Sequence, residues 1–281
     1  MASDTNETVA YIADMVDDAG DLDVSNIYDQ AWPISQAIFD KINARFPDLK
    51  RDPSTDELQN YGVDPNTGPG GTLSAFTDSD QVDWMVHSYI GEFKKAFVNV
   101  HITCWLGPDI DVPHLGMAWG TSPRPWFYFD HMMRRDGATN PAYFDKYCGY
   151  RNERFLKLKT NPNLTTFTSR DPYIREVLSP TAMCFSVDDT PENWELMTEE
   201  AHRMVDEWLA WIDEAKSNPV PAEERAALAE NDRILRETIT ERDPANQLAV
   251  RRYPEGVEEK LVRALGAKDR ILPRPGLNYG L

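Results

Sequence analysis

The run Phe97-Val98-Asn99-Val100-His101-Ile102-Thr103-Cys104-Trp105 holds the residues best suited to chemistry. A strand's period of two puts Val98, Val100, Ile102 and Cys104 on one face, and Asn99, His101 and Thr103 on the other. The first face suits a core. The second, framed by Phe97 and Trp105, suits the floor of a pocket or an exposed polar surface. In a pocket His101 stands at the centre, and an imidazole that titrates near neutral pH can give or take a proton. Downstream, Asp109, Asp111 and His114 form either an acid–base cluster or a polar turn. Tyr128 and Asp130 share a face with Trp126. Asp243, just before Pro244, reads locally as a helix N-cap, or else as a functional acid. Trp84, Trp105, Trp119 and Trp126 can wall a flat conjugated ligand or serve as ordinary core. His87, His101, His114 and His131 lie close in sequence but match no zinc spacing, so hydrogen bonds rather than a metal are expected to satisfy them.

These residues need strands to position them. Val82–Ile90 and Lys95–Trp105 are rich in β-branched and aromatic residues, with Glu92 expected in the turn between them. Shorter strands are expected over His114–Trp119, Trp126–His131 and Ala182–Val187. Helices are expected over 25–46, stopped by Pro47, and over 141–158. Arg51–Gly71 and 160–179 read as loops. Thr190-Pro191 is a strong helix start, followed by a stripe from Trp194 to Ala215. Further helices are expected from Pro221 and from Pro254 to Gly266. Strands in succession with helices at both ends predict an α+β fold, an antiparallel sheet covered by helices in one domain, 25–281, behind an acidic leader, 1–24. No dinucleotide fingerprint, phosphate-binding loop, nucleophile elbow or HExxH occurs.

The chain has 281 residues, with 47 acidic against 29 basic side chains and a net charge of −18. That balance opposes a phosphate-coating nucleic-acid role and binding to anionic membranes. No apolar run reaches the ~20 residues that span a bilayer, and the acidic N-terminus lacks signal-peptide features. Cys104, Cys148 and Cys184 are too few and scattered for a disulfide scaffold, so a reduced, cytoplasmic protein is expected. Only 134–159 inverts the charge, with Arg134, Arg135, Lys146, Arg151, Arg154, Lys157 and Lys159 against three acids. It is either a solvated helix face or a docking patch for an acidic partner.

The run VNVHITCWLGPDIDVPHLGMAWGTSPRPWFYFDHMMRRD resembles the central hairpins of the ferredoxin-dependent bilin reductases, and more closely their relative, red chlorophyll catabolite reductase. LSPTAMCFS is similar to a later family strand, and ERDPANQLAVRRYPEGVEEKLVRALG to its closing segment. The resemblance covers roughly 80–270, in the family's order. It implies a three-layer α/β/α sandwich with a central antiparallel β-sheet, and an open-chain tetrapyrrole held between the sheet and the C-terminal helices. It further implies no bound flavin, metal or nicotinamide, single electrons from ferredoxin, and protons from protein side chains. By position His101, Asp243 and Asp130 match family site residues. One departure stands out: five residues after Pro113, where family reductases carry an Asp or Glu, this chain has Ala118. His114, His101 or Asp243 must then supply that proton, or the reaction is different.

Three functions follow. The first is a ferredoxin-dependent reductase of a linear tetrapyrrole or similar conjugated molecule, with His101 and Asp243 as proton donors and Asp130 or His114 in support. Asn99, Thr103, Trp105, Ala118, Trp126 and Tyr128 would line its substrate site. The second is a cofactor-free lyase, decarboxylase or isomerase acting on an aromatic compound by His/Asp acid–base catalysis. The third is a non-catalytic pigment-binding protein. Ferredoxin is itself acidic, so long-range repulsion would have to be overcome at 134–159.

Overall fold

A computed structural model describes residues 10–11, 20–77, 81–121, 124–169, 171–243, 253 and 256–267. Its centre is a ten-stranded sheet in the order β1-β9-β10-β8-β7-β6-β5-β4-β2, with β3 paired to β4. The strands are β1 (Ala10–Tyr11), β2 (Lys50–Arg51), β3 (Tyr61–Gly62), β4 (Gly70–Thr77) and β5 (Val82–Glu92). They continue as β6 (Phe97–Leu106), β7 (His114–Thr121), β8 (Pro125–Met132), β9 (Leu164–Thr168) and β10 (Met183–Val187). Pairing is antiparallel except where β1 lies parallel to β9. The helices are α1 (Ser25–Arg45), α2 (Pro141–Tyr147), α3 (Asn152–Lys159), α4 (Pro172–Val177), α5 (Pro191–Ala215), α6 (Ala222–Arg242) and α7 (Val257–Leu265).

The strand alternation is as the sequence requires. Val98, Val100, Ile102 and Cys104 enter the main core with Leu115, Met117, Trp119, Phe127, Phe129 and Phe185, beneath α1 and α5. Thr190 caps α5 by accepting from the Asn193 N–H, and Trp194, Met197, Ala201, Met204, Trp208 and Ile212 form its buried stripe. On the other face, Trp84, Val86 and Trp105 pack against Leu261 and Ala264 of α7. The indole N–H of Trp84 donates to Ala264 O at 2.7 Å, and that of Trp105 to Leu265 O at 3.3 Å.

Several expectations are corrected. The 51–71 stretch contains a 3-10 turn (Pro53–Leu58), β3 and the start of β4. Glu92 ends β5, and the turn after it is Phe93–Lys95. The 141–158 helix is interrupted by a 3-10 turn at Gly149–Arg151, where glycine is a poor helix former. The 160–179 stretch contains β9 and α4. Residues 20–24 are tied down: the Ala96 N–H donates to Leu22 O, the Val24 N–H to Phe93 O, and Asp21 and Asp23 pair with Lys95 and Lys94. Pro123, 244–252 and Pro254 lie outside the described residues, as does most of 1–19.

The basic stretch 134–159 is not an open patch. Buried Arg134 pairs with Asp232, and Arg135 with Asp111 and Glu224. Lys146 pairs with Glu214, and Arg154 with Glu200. Arg151 is buried against His131 Nδ1 at 2.9 Å. Five of the seven cations thus have partners within the molecule, Arg134 and Arg151 in its interior. These pairs reduce the field that 134–159 offers an acidic partner, because a neutralised cation projects little of it. Among the described residues, no helix is long and apolar enough to cross a membrane.

Candidate active site

The polar face of β6 is the floor of a cavity of about 260 Å³ between the sheet and α4, α6 and α7. One continuous register row crosses the floor: Ser88 pairs with His101, His101 with Ala118, Ala118 with Tyr128, and Tyr128 with Cys184. All five line the cavity, as do Asn99, Thr103, Trp105 and Trp126. Ile239, Thr240 and Asp243 reach it from the end of α6, and Leu261, Val262 and Leu265 from α7. His101 and Asp243, remote in sequence, therefore face one space.

β7 gives the floor its relief. Its pocket-side residues are Gly116, Ala118 and Gly120, while Leu115, Met117 and Trp119 point into the core. A Cβ at Gly116 would lie 2.9 Å from the Tyr128 hydroxyl, and one at Gly120 would collide with the Trp126 ring. The two rings of β8 thus lean over glycines, one on each side of Ala118.

His101 Nε2 lies 2.7 Å from Thr103 Oγ1, and its buried Nδ1 has no partner among the described residues. Burial lowers its pKa to about 4, so the imidazole is neutral at pH 7. The Trp126 indole N–H is likewise buried with no partner among the described residues. Burial, followed by the charges of Asp130, Cys184 and Asp243, pushes the Tyr128 pKa far up and keeps the phenol protonated. Burial does the same to the Cys184 thiol, which is therefore a poor nucleophile.

Two expected site residues lie outside the cavity lining. His114 is fully buried beneath α6: its Nδ1 accepts from the Leu106 N–H at 3.0 Å, so Nε2 carries the proton toward Asp232 Oδ1, also at 3.0 Å. Burial lowers the His114 pKa against the pull of Asp232. Its role here is to join the sheet to α6. Asp130 is on the pocket side of β8 but is fully buried, accepting from the Ser179 N–H at 2.9 Å and its hydroxyl at 2.5 Å. Burial raises its pKa, opposed by those bonds. Asp243 follows the last residue of α6 and its N–H donates to Ile239 O; the helix start read at Asp243-Pro244 lies outside the described residues.

The four clustered histidines do not converge. His87 is stacked between Trp32 and Phe39 and bonds Ser35, while His131 bonds Met204 O. Among the described residues no group of three His, Cys, Asp or Glu side chains is arranged to hold a metal. The sequence reading missed Phe167, Ile174 and Leu178, which wall the cavity from the supposed loop 160–179. A signal was present. Asp171-Pro172 repeats the Thr190-Pro191 helix start, and Asp171 accepts from the Tyr173 and Ile174 N–H groups.

The family model of red chlorophyll catabolite reductase matches residues 61–266. Phytochromobilin synthase from tomato, solved in complex with biliverdin, superposes with a TM-score of 0.68 at 15% identity, over 82% of this chain and 80% of that chain. At that identity the likeness speaks for a shared fold. No curated protein matches the chain. The family match takes in the sheet from β3 onward, the floor row, Asp243 and α7, and on that extent the chain belongs to the red chlorophyll catabolite reductase family.

Proposed function

We propose that the protein reduces a linear tetrapyrrole, or a similarly extended conjugated molecule, with single electrons from an external ferredoxin-type donor and protons from its own side chains. The observation that carries this reading is the convergence of His101 and Asp243 on one largely apolar cavity in a chain of this reductase family. Trp105, Trp126 and Phe167 offer flat apolar walls, and a conjugated ligand needs few polar anchors there. No bound cofactor is required, because the electrons arrive one at a time from outside.

Neutral His101 does not begin as a strong acid. Once the substrate accepts an electron, the negative charge beside the imidazole raises its pKa again and favours the protonated form. Asp243 is partly exposed at the end of α6, where it can exchange protons with solvent and pass them inward. With most cations of 134–159 paired, the donor gains little long-range attraction there. Its docking must rest on short-range complementarity, with weak salt dependence of the on-rate.

Ala118 supports a second reading, acid–base isomerisation or lysis of an aromatic compound, since the carboxyl group expected beside the substrate is replaced by a methyl group. Adding biliverdin to the purified protein distinguishes the two. Reduction predicts a shift in visible absorbance on binding, then bleaching or a further shift only when reduced ferredoxin is supplied. A spectrum that does not respond to biliverdin sinks the tetrapyrrole reading. Binding without turnover points to a pigment-binding protein.

A further inference from the structure

We propose that the Tyr128 hydroxyl is a proton donor to the substrate, taking the place left by the methyl group of Ala118. This rests on the reductase reading above. Three features of geometry carry it. Tyr128 is the direct cross-strand partner of Ala118, which is in turn the partner of His101, so the phenol and the imidazole flank the same spot on the floor. Gly116 leaves the room that lets the phenol lean back over β7, and any side chain there would push it away. The ring lines the cavity, and Asp243 lines it from the end of α6, so the phenol shares one space with a partly exposed carboxyl group.

The step balances simply. The substrate takes one electron from the external one-electron donor and becomes a radical anion. The Tyr128 O–H bond breaks, its proton goes to the substrate, and a neutral substrate radical and a phenolate remain. The phenolate regains a proton from solvent by way of Asp243. A second electron and a second proton then complete the two-electron reduction. A phenol is a weak acid in water, but the developing charge lies next to it in a largely apolar cavity, where transfer to a strongly basic radical anion is favourable.

The test is Tyr128→Phe, which keeps the ring and removes only the hydroxyl. Biliverdin should bind the variant within about 3-fold of wild type by absorbance titration, which also controls for folding. With reduced ferredoxin, decay of the substrate radical, followed by electron paramagnetic resonance, should slow at least ~10²-fold, the usual size of a general-acid contribution. The radical should accumulate, because its formation does not need the proton. Adding Ala118→Asp to Tyr128→Phe puts a carboxyl group back on the floor and should recover at least ~10-fold. Radical decay in Tyr128→Phe within about 3-fold of wild type overturns the assignment while leaving the reductase reading intact. If wild type binds biliverdin without forming any radical, the reductase reading fails and this role fails with it.

Discussion

His101 and Tyr128 show how far one residue's chemistry depends on its surroundings. An imidazole expected near pH 6.5 is held at about 4 by burial, and a phenol is pushed upward by burial and neighbouring acids. Both are neutral at pH 7. If His101 and Asp243 handle protons, His101→Gln and Asp243→Asn should each lower turnover of the bound tetrapyrrole by at least ~10²-fold with little change in its binding. Near-normal single-turnover rates in both would remove them from the mechanism. The floor face of β6 was legible from alternation alone, whereas the exclusion of His114 from the cavity was not. His114 has the pocket-side parity of Gly116 and Ala118, but at the first position of β7 it lies against Trp105 and is covered by Asp232 of α6, and nothing in Pro113-His114-Leu115 records that.

At the scale of elements, α6 is the instructive case. Asp232, Arg236 and Thr240 are spaced by four and form a buried polar stripe on a helix that ends at Arg242. Asp232 accepts from Arg134 at 3.1 and 2.5 Å as well as from His114, and Arg236 pairs with Asp83 at the irregular register of β5. Arg134 also donates to Gly107 O and Ile110 O, so one guanidinium joins the β6–β7 turn, the end of β8 and α6. Burial works to raise the Asp232 pKa, yet Arg134 and His114 outweigh it and hold it at about 2. Removing one member strands a buried charge. Asp232→Ala should therefore cost about 3–5 kcal/mol in urea unfolding. A loss below about 1 kcal/mol would show that water reaches Arg134. A polar stripe is invisible to a search for apolar periodicity, so the α6 face was not readable until its partners were known.

For the whole molecule, pH and charge make one prediction. His87 and His101 have folded pKa values lowered to about 4, against about 6.5 when unfolded, both chiefly by burial. A lowered folded value means that stability is fully present above pH 6.5 and is lost as pH falls through 4, since the unfolded chain takes up the protons first. Asp232 extends the loss below pH 4 by the same sign. Urea midpoints should thus drop steadily between pH 6.5 and 4, and His87→Phe, whose ring suits the stack between Trp32 and Phe39, should flatten part of that slope. A flat profile in the wild type would mean that these imidazoles are solvated. The charge of −18 persists at neutral pH, but its local distribution was misread from the sequence: the basic residues of 134–159 look like a patch only while their partners on α5 and α6 are out of sight.

By itself the sequence determined the alternation of β5 to β8, the start and stripe of α5, the polar face of β6 with His101 at its centre, and the family. Each of these is written in neighbouring residues, as a period of two, a period of 3.6, a cap or an ordered set of motifs. Only the tertiary structure decided that this face is a cavity floor which Asp243 also reaches, that His114 and Asp130 stand outside the lining, that β9 and α4 supply a wall, and that most of the basic stretch is spent on internal pairs. Those outcomes depend on which distant segments meet, and a chain's local pattern carries the strength of an ion pair or a cavity wall only once both sides of it are in place.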